Sequence, residues 1–161
     1  MTEVKSPTPK PDCVRIAVMK DAEKLLALLW ESYSWEDTHA PHDLDRGREM
    51  VNALCAGKGG IAGVIEDSNG RLIAGVGIVA NVPWYTKETN LSQIFLCVHP
   101  SARRNRDLAK FLHDFCVWHK DDMSARLGYN IMLATSIWSF HRLEAKTRWW
   151  NARAKRAGTI G

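Results

Sequence analysis

Ile94-Phe95-Leu96-Cys97-Val98-His99-Pro100-Ser101-Ala102-Arg103-Arg104-Asn105-Arg106-Asp107-Leu108-Ala109-Lys110-Phe111-Leu112 is the stretch that decides the fold. Its apolar start continues a run from Leu91, and that composition predicts a strand buried on both faces. Pro100 cannot donate to a sheet ladder and stops the strand. A basic knot follows. Leu108, Phe111, Leu112, Phe115 and His119 then recur at i, i+3, i+4, i+7 and i+11, one face of a helix over about 104–123. A strand that stops and turns into a helix aims free backbone N–H groups and a helix dipole outward, and such a place attracts anions. Cations at a helix start are unfavourable unless an anion faces them. Arg103, Arg104 and Arg106 therefore point to a phosphate-bearing ligand held by charge-assisted hydrogen bonds. The plain alternative is a solvated basic turn.

Upstream, residues 14–18 alternate and predict a short strand. Asp21 is placed to cap a helix in which Leu25, Leu26, Leu28, Leu29 and Tyr33 form an apolar stripe. Residues 35–41 read as a loop, and 43–55 as a second helix ended by Gly57 and the Gly59-Gly60 pair. Residues 61–65 and 72–80 predict a hairpin around the Asp67-Ser68-Asn69-Gly70 turn, and 81–90 a loop. Downstream, Gly128 ends the helix, 130–137 is another apolar strand, and 140–156 is a last helix closed by Gly158. The order is β-α-α-β-β-β-α-β-α. Its β-α-β crossover makes two strands parallel if they share a sheet. The fold class is α/β, or an α+β sandwich, with helices on the faces of a mixed sheet.

At 161 residues, with 45% hydrophobic and 25% charged residues, the chain fits one domain with a core of its own. Residues 1–12, rich in Pro and Lys without an apolar segment, read as a flexible leader, and 13–161 as the domain. No apolar run approaches the ~20 residues that span a bilayer. Cys13, Cys55, Cys97 and Cys116 are far apart and form no CxxC pair, which argues against a zinc ribbon and for a reducing compartment, the cytoplasm. The net charge is +4, concentrated in residues 142–156, where six cations face one acid, Glu144. Such a segment fits a polyanion or a solvated helix face. Trp149 and Trp150 beside those arginines could stack on nucleobases, although Trp150 shares helix spacing with Leu143 and Ala154 and fits a core position better. Residues 36–43 hold His39, His42 and three acids; an acceptor-recognition or ordinary polar loop is preferred there to a metal clamp, and no metal is expected. Cys97 and His99 share a strand face but lie among apolar neighbours with no carboxylate in view, so no nucleophilic thiol is expected.

The strand, Val98-His99-Pro100 and the arginine after it resemble the GNAT-type N-acetyltransferase family, whose pattern is an apolar strand, V-x-P, two residues and [QR]-x-x-G-x-[GA] opening a helix. Arg103 matches the [QR] position. Arg106 stands where the pattern has Gly, and Leu108 where it has Gly or Ala. The Arg-Arg-x-Arg variant resembles compact phage members of the family. The likeness in element order covers about 14–157, and the motif about 20 residues. It implies a mixed, mostly antiparallel central sheet with one parallel crossover, and acetyl-CoA as the cofactor. Its phosphates would meet Arg103, Arg104, Asn105, Arg106, Asp107 and Leu108. Its pantetheine arm would bond the main chain of Leu96, Cys97 and Val98, with the Val98 N–H polarising the thioester carbonyl. The two missing glycines should crowd the approach of backbone to pyrophosphate.

The implied reaction is acetyl transfer to an amine by direct attack in a ternary complex. The acid that many members place in the last helix is replaced by Arg148-Trp149-Trp150-Asn151, and an indole cannot serve as an acid. Tyr129, His141 and Glu88 are poorly placed for the role, and Ser92 and Gln93 could at best order a water. The alternatives are a GNAT-like binding or assembly module without efficient catalysis and a basic nucleic-acid-binding domain. The family usually continues past the last helix into further strands. An edge left near Gly158, beside an exposed Trp149, leads to the expectation of a homodimer or larger assembly.

Overall fold

The computed structural model describes residues 9–32 and 43–135. β1 (Arg15–Ile16) leads through a 3-10 turn, Met19–Asp21, into α1 (Ala22–Ser32). Asp43 caps α2 (Leu44–Cys55) by accepting the Arg46 N–H at 3.1 Å. β2 (Gly60–Glu66) and β3 (Leu72–Asn81) form the predicted hairpin, whose turn Asp67 fixes by accepting the N–H groups of Asn69 and Arg71, each at 2.9 Å. β4 (Asn90–Val98), α3 (Asp107–Leu127) and β5 (Leu133–Thr135) complete the described chain. The sheet runs β1-β2-β3-β4-β5, antiparallel throughout except for the parallel β4–β5 pair. The mixed α/β sheet with one crossover is the predicted fold class.

Two cores sandwich the sheet. Leu25, Leu28, Val51 and Leu54 of α1 and α2 pack on Ala62, Val64, Phe95 and Cys97. Leu108, Leu112, Phe115 and Cys116 of α3 pack on the opposite face, against Ala74, Val76, Ile78 and Leu91. The sheet admits these rings only where it lacks side chains. A Cβ on Gly63 would lie 2.7 Å from the Phe115 ring, and one on Gly77 2.3 Å from the Phe95 ring.

Several expectations change. The alternating residues 14–18 do not bury one face: Val14 and Ala17 are buried, while Ile16 and Val18 are exposed, because the strand is two residues long and the chain then coils into the 3-10 turn. Asp21 is not the α1 cap. It ends the 3-10 turn, and its carboxylate reaches back to the Val18 N–H at 2.8 Å and takes both Arg15 guanidinium nitrogens at 2.7 Å. β4 is not buried on both faces; Leu91, Gln93, Phe95 and Cys97 are buried, Ile94 is exposed, and Ser92, Leu96 and Val98 are half-buried. α3 begins three residues later than predicted, because Asn105 accepts the Asp107 N–H at 3.2 Å and holds the preceding turn open. It also runs on past Met123, to the predicted stop at Gly128, φ +79°. Residues 9–12 join the described chain, with Lys10 Nζ donating to the Val14 carbonyl at 2.7 Å. Residues 1–8 of the predicted leader, Tyr33 and the 35–41 loop, residues 136–137 of the last strand, and the 140–156 helix with Trp149, Trp150 and Gly158 lie outside the described residues.

Asp21 is 2% exposed, and its Arg15 partner holds its carboxyl at about 2, below the usual 3.8. The fold favours the charged form, so this stabilisation is complete above the unfolded value and disappears as pH falls toward 2. Over that window the parent should lose about 2 kcal/mol more than Asp21→Asn in urea unfolding. Parallel profiles for the two proteins would contradict this assignment. Gly77→Ala should cost about 1–3 kcal/mol by overpacking against Phe95, read by the same unfolding experiment.

Candidate functional site

β4 carries a bulge. Gly77 and Ile78 of β3 face Phe95 and Gln93, so Ile94 is one residue too many. Before it, Leu91 faces α3; after it, Phe95 and Cys97 face α1 and α2, while Leu96 and Val98 pack toward α3. Odd and even residues thus exchange faces at Ile94.

Amides in an antiparallel ladder point alternately to either neighbour. His99 N–H donates to the Ile73 carbonyl at 2.8 Å. Cys97 therefore also turns its amide toward β3, and Leu96 and Val98 turn theirs to the β5 side. Leu91 does the same ahead of the bulge, donating to Met132 O at 2.9 Å. Among the described residues β5 registers only with Leu91, Ser92 and Gln93, so the Leu96 and Val98 amides lie beyond that pairing.

The strand ends in a 3-10 turn, Pro100–Ala102, capped by His99, whose Nδ1 accepts the Ser101 N–H at 3.2 Å. Its Nε2 lies 2.8 Å from Glu31 Oε2 and 3.0 Å from Arg71 Nη2. Arg71 closes this cluster 3.8 Å from the same oxygen. Ala102 N–H donates to His99 O, Asn105 N–H to Ala102 O and Leu108 N–H to Asn105 O. The N–H groups of Arg104 and Arg106 have no acceptor among the described residues, and both side chains are exposed there without an ion pair. Arg103 differs: its Nε donates to Val98 O at 3.2 Å and its Nη2 to Ser32 O at 2.7 Å. A cleft of about 360 Å³ between α1 and the β2–β3 turn, lined by Lys24, Glu31, Arg71 and His99, shares only His99 with this turn.

No protein-family model and no curated protein matches the sequence. Solved structures do match in three dimensions. A possible acetyltransferase from Clostridium difficile 630 superposes with a TM-score of 0.57 at 17% identity, over 87% of this chain and 88% of its own. Ribosomal-protein-alanine N-acetyltransferase from Brucella melitensis biovar Abortus 2308 gives 0.54 at 16%, over 83% and 86%. A GNAT family acetyltransferase from Staphylococcus aureus subsp. aureus USA300_TCH1516 gives 0.52 at 14%, over 78% and 86%. The chain has the GNAT fold.

Neither residue at a glycine position of the family pattern strains the turn. Arg106 sits at φ −68°, ψ −18°, which any residue adopts, and no described non-glycine residue has positive φ. Leu108 buries its side chain beside Leu112 and Phe115, away from the turn. The open N–H groups and two exposed guanidinium groups are donors of the kind that can hold an anion. Asn105 and Asp107 are exposed, and their interactions here shape the helix start.

Cys97 is buried at 4% exposure, and burial pushes its thiol up to about 12. Tyr129 anchors the β3–β4 connection by accepting the Thr89 N–H at 2.8 Å. Gln93 is buried on the α3 side and Ser92 lies 3.4 Å from Asn81 Oδ1. Sequence reading missed the Ile94 bulge and the Glu31 carboxylate on His99. Asp43 serves as the α2 cap, and the rest of the 36–43 segment, like His141 and residues 148–151, lies outside the described residues. No helix among the described residues is long and apolar enough to cross a membrane.

The buried thiols make a direct prediction. Iodoacetamide should label exposed Cys13 in the folded protein and reach Cys97 and Cys116 only after unfolding. Peptide mass spectrometry showing comparable labelling of Cys97 under native conditions would contradict its burial.

Proposed function

We propose that this chain is an acetyl-CoA-dependent N-acetyltransferase acting on an amine, a small molecule or a protein N-terminus or lysine, in a reducing compartment such as the cytoplasm. The observation that carries the reading is the turn after β4, with two main-chain N–H groups and two arginine side chains open to an anion on a GNAT fold. Acetyl-CoA supplies, when bound, a thioester activated toward amines. Arg104 and Arg106, by side chain and main chain, are the groups that would hold its phosphates. Leu96 and Val98 present amides on the β5 side of β4, and the Val98 N–H is the donor assigned to the developing oxyanion, a role in which one fixed donor is worth about 2.7–4 kcal/mol. Cys97 contributes no main-chain contact in this reading, because its amide belongs to the β3 ladder.

Direct attack by the neutral amine is preferred to an acetyl-enzyme. A thiol held at about 12 offers negligible thiolate near neutrality, and Cys97 faces the α1 core. Orientation in a bound pair can itself supply much of the rate.

Calorimetric titration with acetyl-CoA, followed by turnover on a panel of amines, tests the reading. The parent should bind, and Arg104→Ala with Arg106→Ala should weaken binding by about 1.5–3 kcal/mol for each charge-assisted hydrogen bond removed. Cys97→Ala should keep most activity, with no acetylated enzyme accumulating in mass spectra. A parent that binds no acetyl-CoA, or a double variant that binds it as tightly as the parent, would refute the assignment.

A further inference from the structure

Arg103 holds the position at which the family pattern places its Arg or Gln, and its exposed side chain is engaged by two main-chain carbonyls. One arm reaches Ser32 O, 2.7 Å away, and Nε reaches Val98 O, 3.2 Å away. Ser32 is the last described residue of α1. Val98 is the last residue of β4. One residue from each, His99 Nε2 lies 2.8 Å from Glu31 Oε2. Two successive residues of α1, Ser32 and Glu31, thus meet Arg103 and His99, 71 and 68 positions away in sequence.

From this geometry we infer that Arg103 is a positioning residue that locks the Val98 end of β4 to Ser32 of α1, so that occupancy of the coenzyme turn is felt at α1. The inference rests on the acetyl-CoA reading above. The guanidinium fork holds the two carbonyls from separate nitrogens in one fixed plane, a geometry that an ammonium on a flexible stem does not reproduce. Fixing the strand end fixes the direction of the Val98 amide. A ligand that orders the turn must also order whatever the fork holds, and the coupling is reciprocal.

The experiment compares the parent, Arg103→Ala and Arg103→Lys by hydrogen exchange with and without acetyl-CoA, by calorimetry and by steady-state kinetics. In the parent, acetyl-CoA should slow exchange both around residues 98–108 and in the last turn of α1. Both variants should bind acetyl-CoA within about threefold of the parent, because Arg104 and Arg106 remain to hold the phosphates. They should protect the turn but no longer α1, and lose about tenfold in kcat with little change in the KM for acetyl-CoA. Lysine, able to keep the charge and the fold, guards against a misfolded alanine variant. An affinity loss matching that of the Arg104 and Arg106 variants with kcat intact would make Arg103 a phosphate ligand and overturn the inference. So would α1 protection that survives in Arg103→Lys, or a parent that binds acetyl-CoA without protecting α1. A parent that does not bind acetyl-CoA overturns this inference together with the proposed function.

Discussion

A strand with an odd residue inserted cannot keep one face to one core, and β4 is built around that constraint. Ile94 has no partner on β3. The residues before it send Leu91 toward α3, and those after it send Phe95 and Cys97 toward α1. The Phe95 ring then lies over β3, which is possible only because Gly77 leaves its place empty. Removing the bulge would put Phe95 against α3 and Leu96 against α1, disturbing both cores. The bulge is therefore held from both sides of the sheet, and the amides that follow it inherit fixed directions.

The same economy governs charge at the strand end. Three arginines near a helix start look electrostatically adverse in the sequence, but α3 begins only at Asp107, an acid where the dipole favours one. Arg103, exposed as well, donates to the Ser32 carbonyl of α1. Arg104 and Arg106 make no ion pair among the described residues. The groups of the turn left open are thus two side chains and two main-chain donors.

What could be read from sequence divides by the range of the interactions. The Asp67 turn, the start of the second helix near Asp43 and the Gly128 stop depend on neighbours within a few residues, and each was legible. The strand, Pro100 and the helix after it were legible for the same reason. The bulge was not, since Ile94 is ordinary in composition and becomes extra only when β4 is registered on β3. Asp21 misled because its partner is not the helix after it but Arg15 across a turn. The partners of Arg103 and His99, Ser32 and Glu31, were not legible because they come close only in the assembled fold. A family pattern reports a residue type, and the residue type does not report that the backbone at Arg106 is in a conformation open to any residue.

The two halves of β4 consequently have separate tasks. Leu91, Ser92 and Gln93 register β5 and make the crossover parallel. Leu96 and Val98 turn their amides to that same side beyond the described pairing, and Arg103 and His99 fasten the strand's end to α1. A donor that stabilises developing charge must be fixed before the reaction, because an amide free to swing would repay in reorganisation what it gains in attraction. The β3 ladder through Cys97 and His99 fixes Val98 from one edge, and the Arg103 bond to its carbonyl fixes it from the other. Cys97 is a structural pin: its thiol is sealed in the α1 core and its amide is turned to β3, which leaves the Val98 amide on the β5 side.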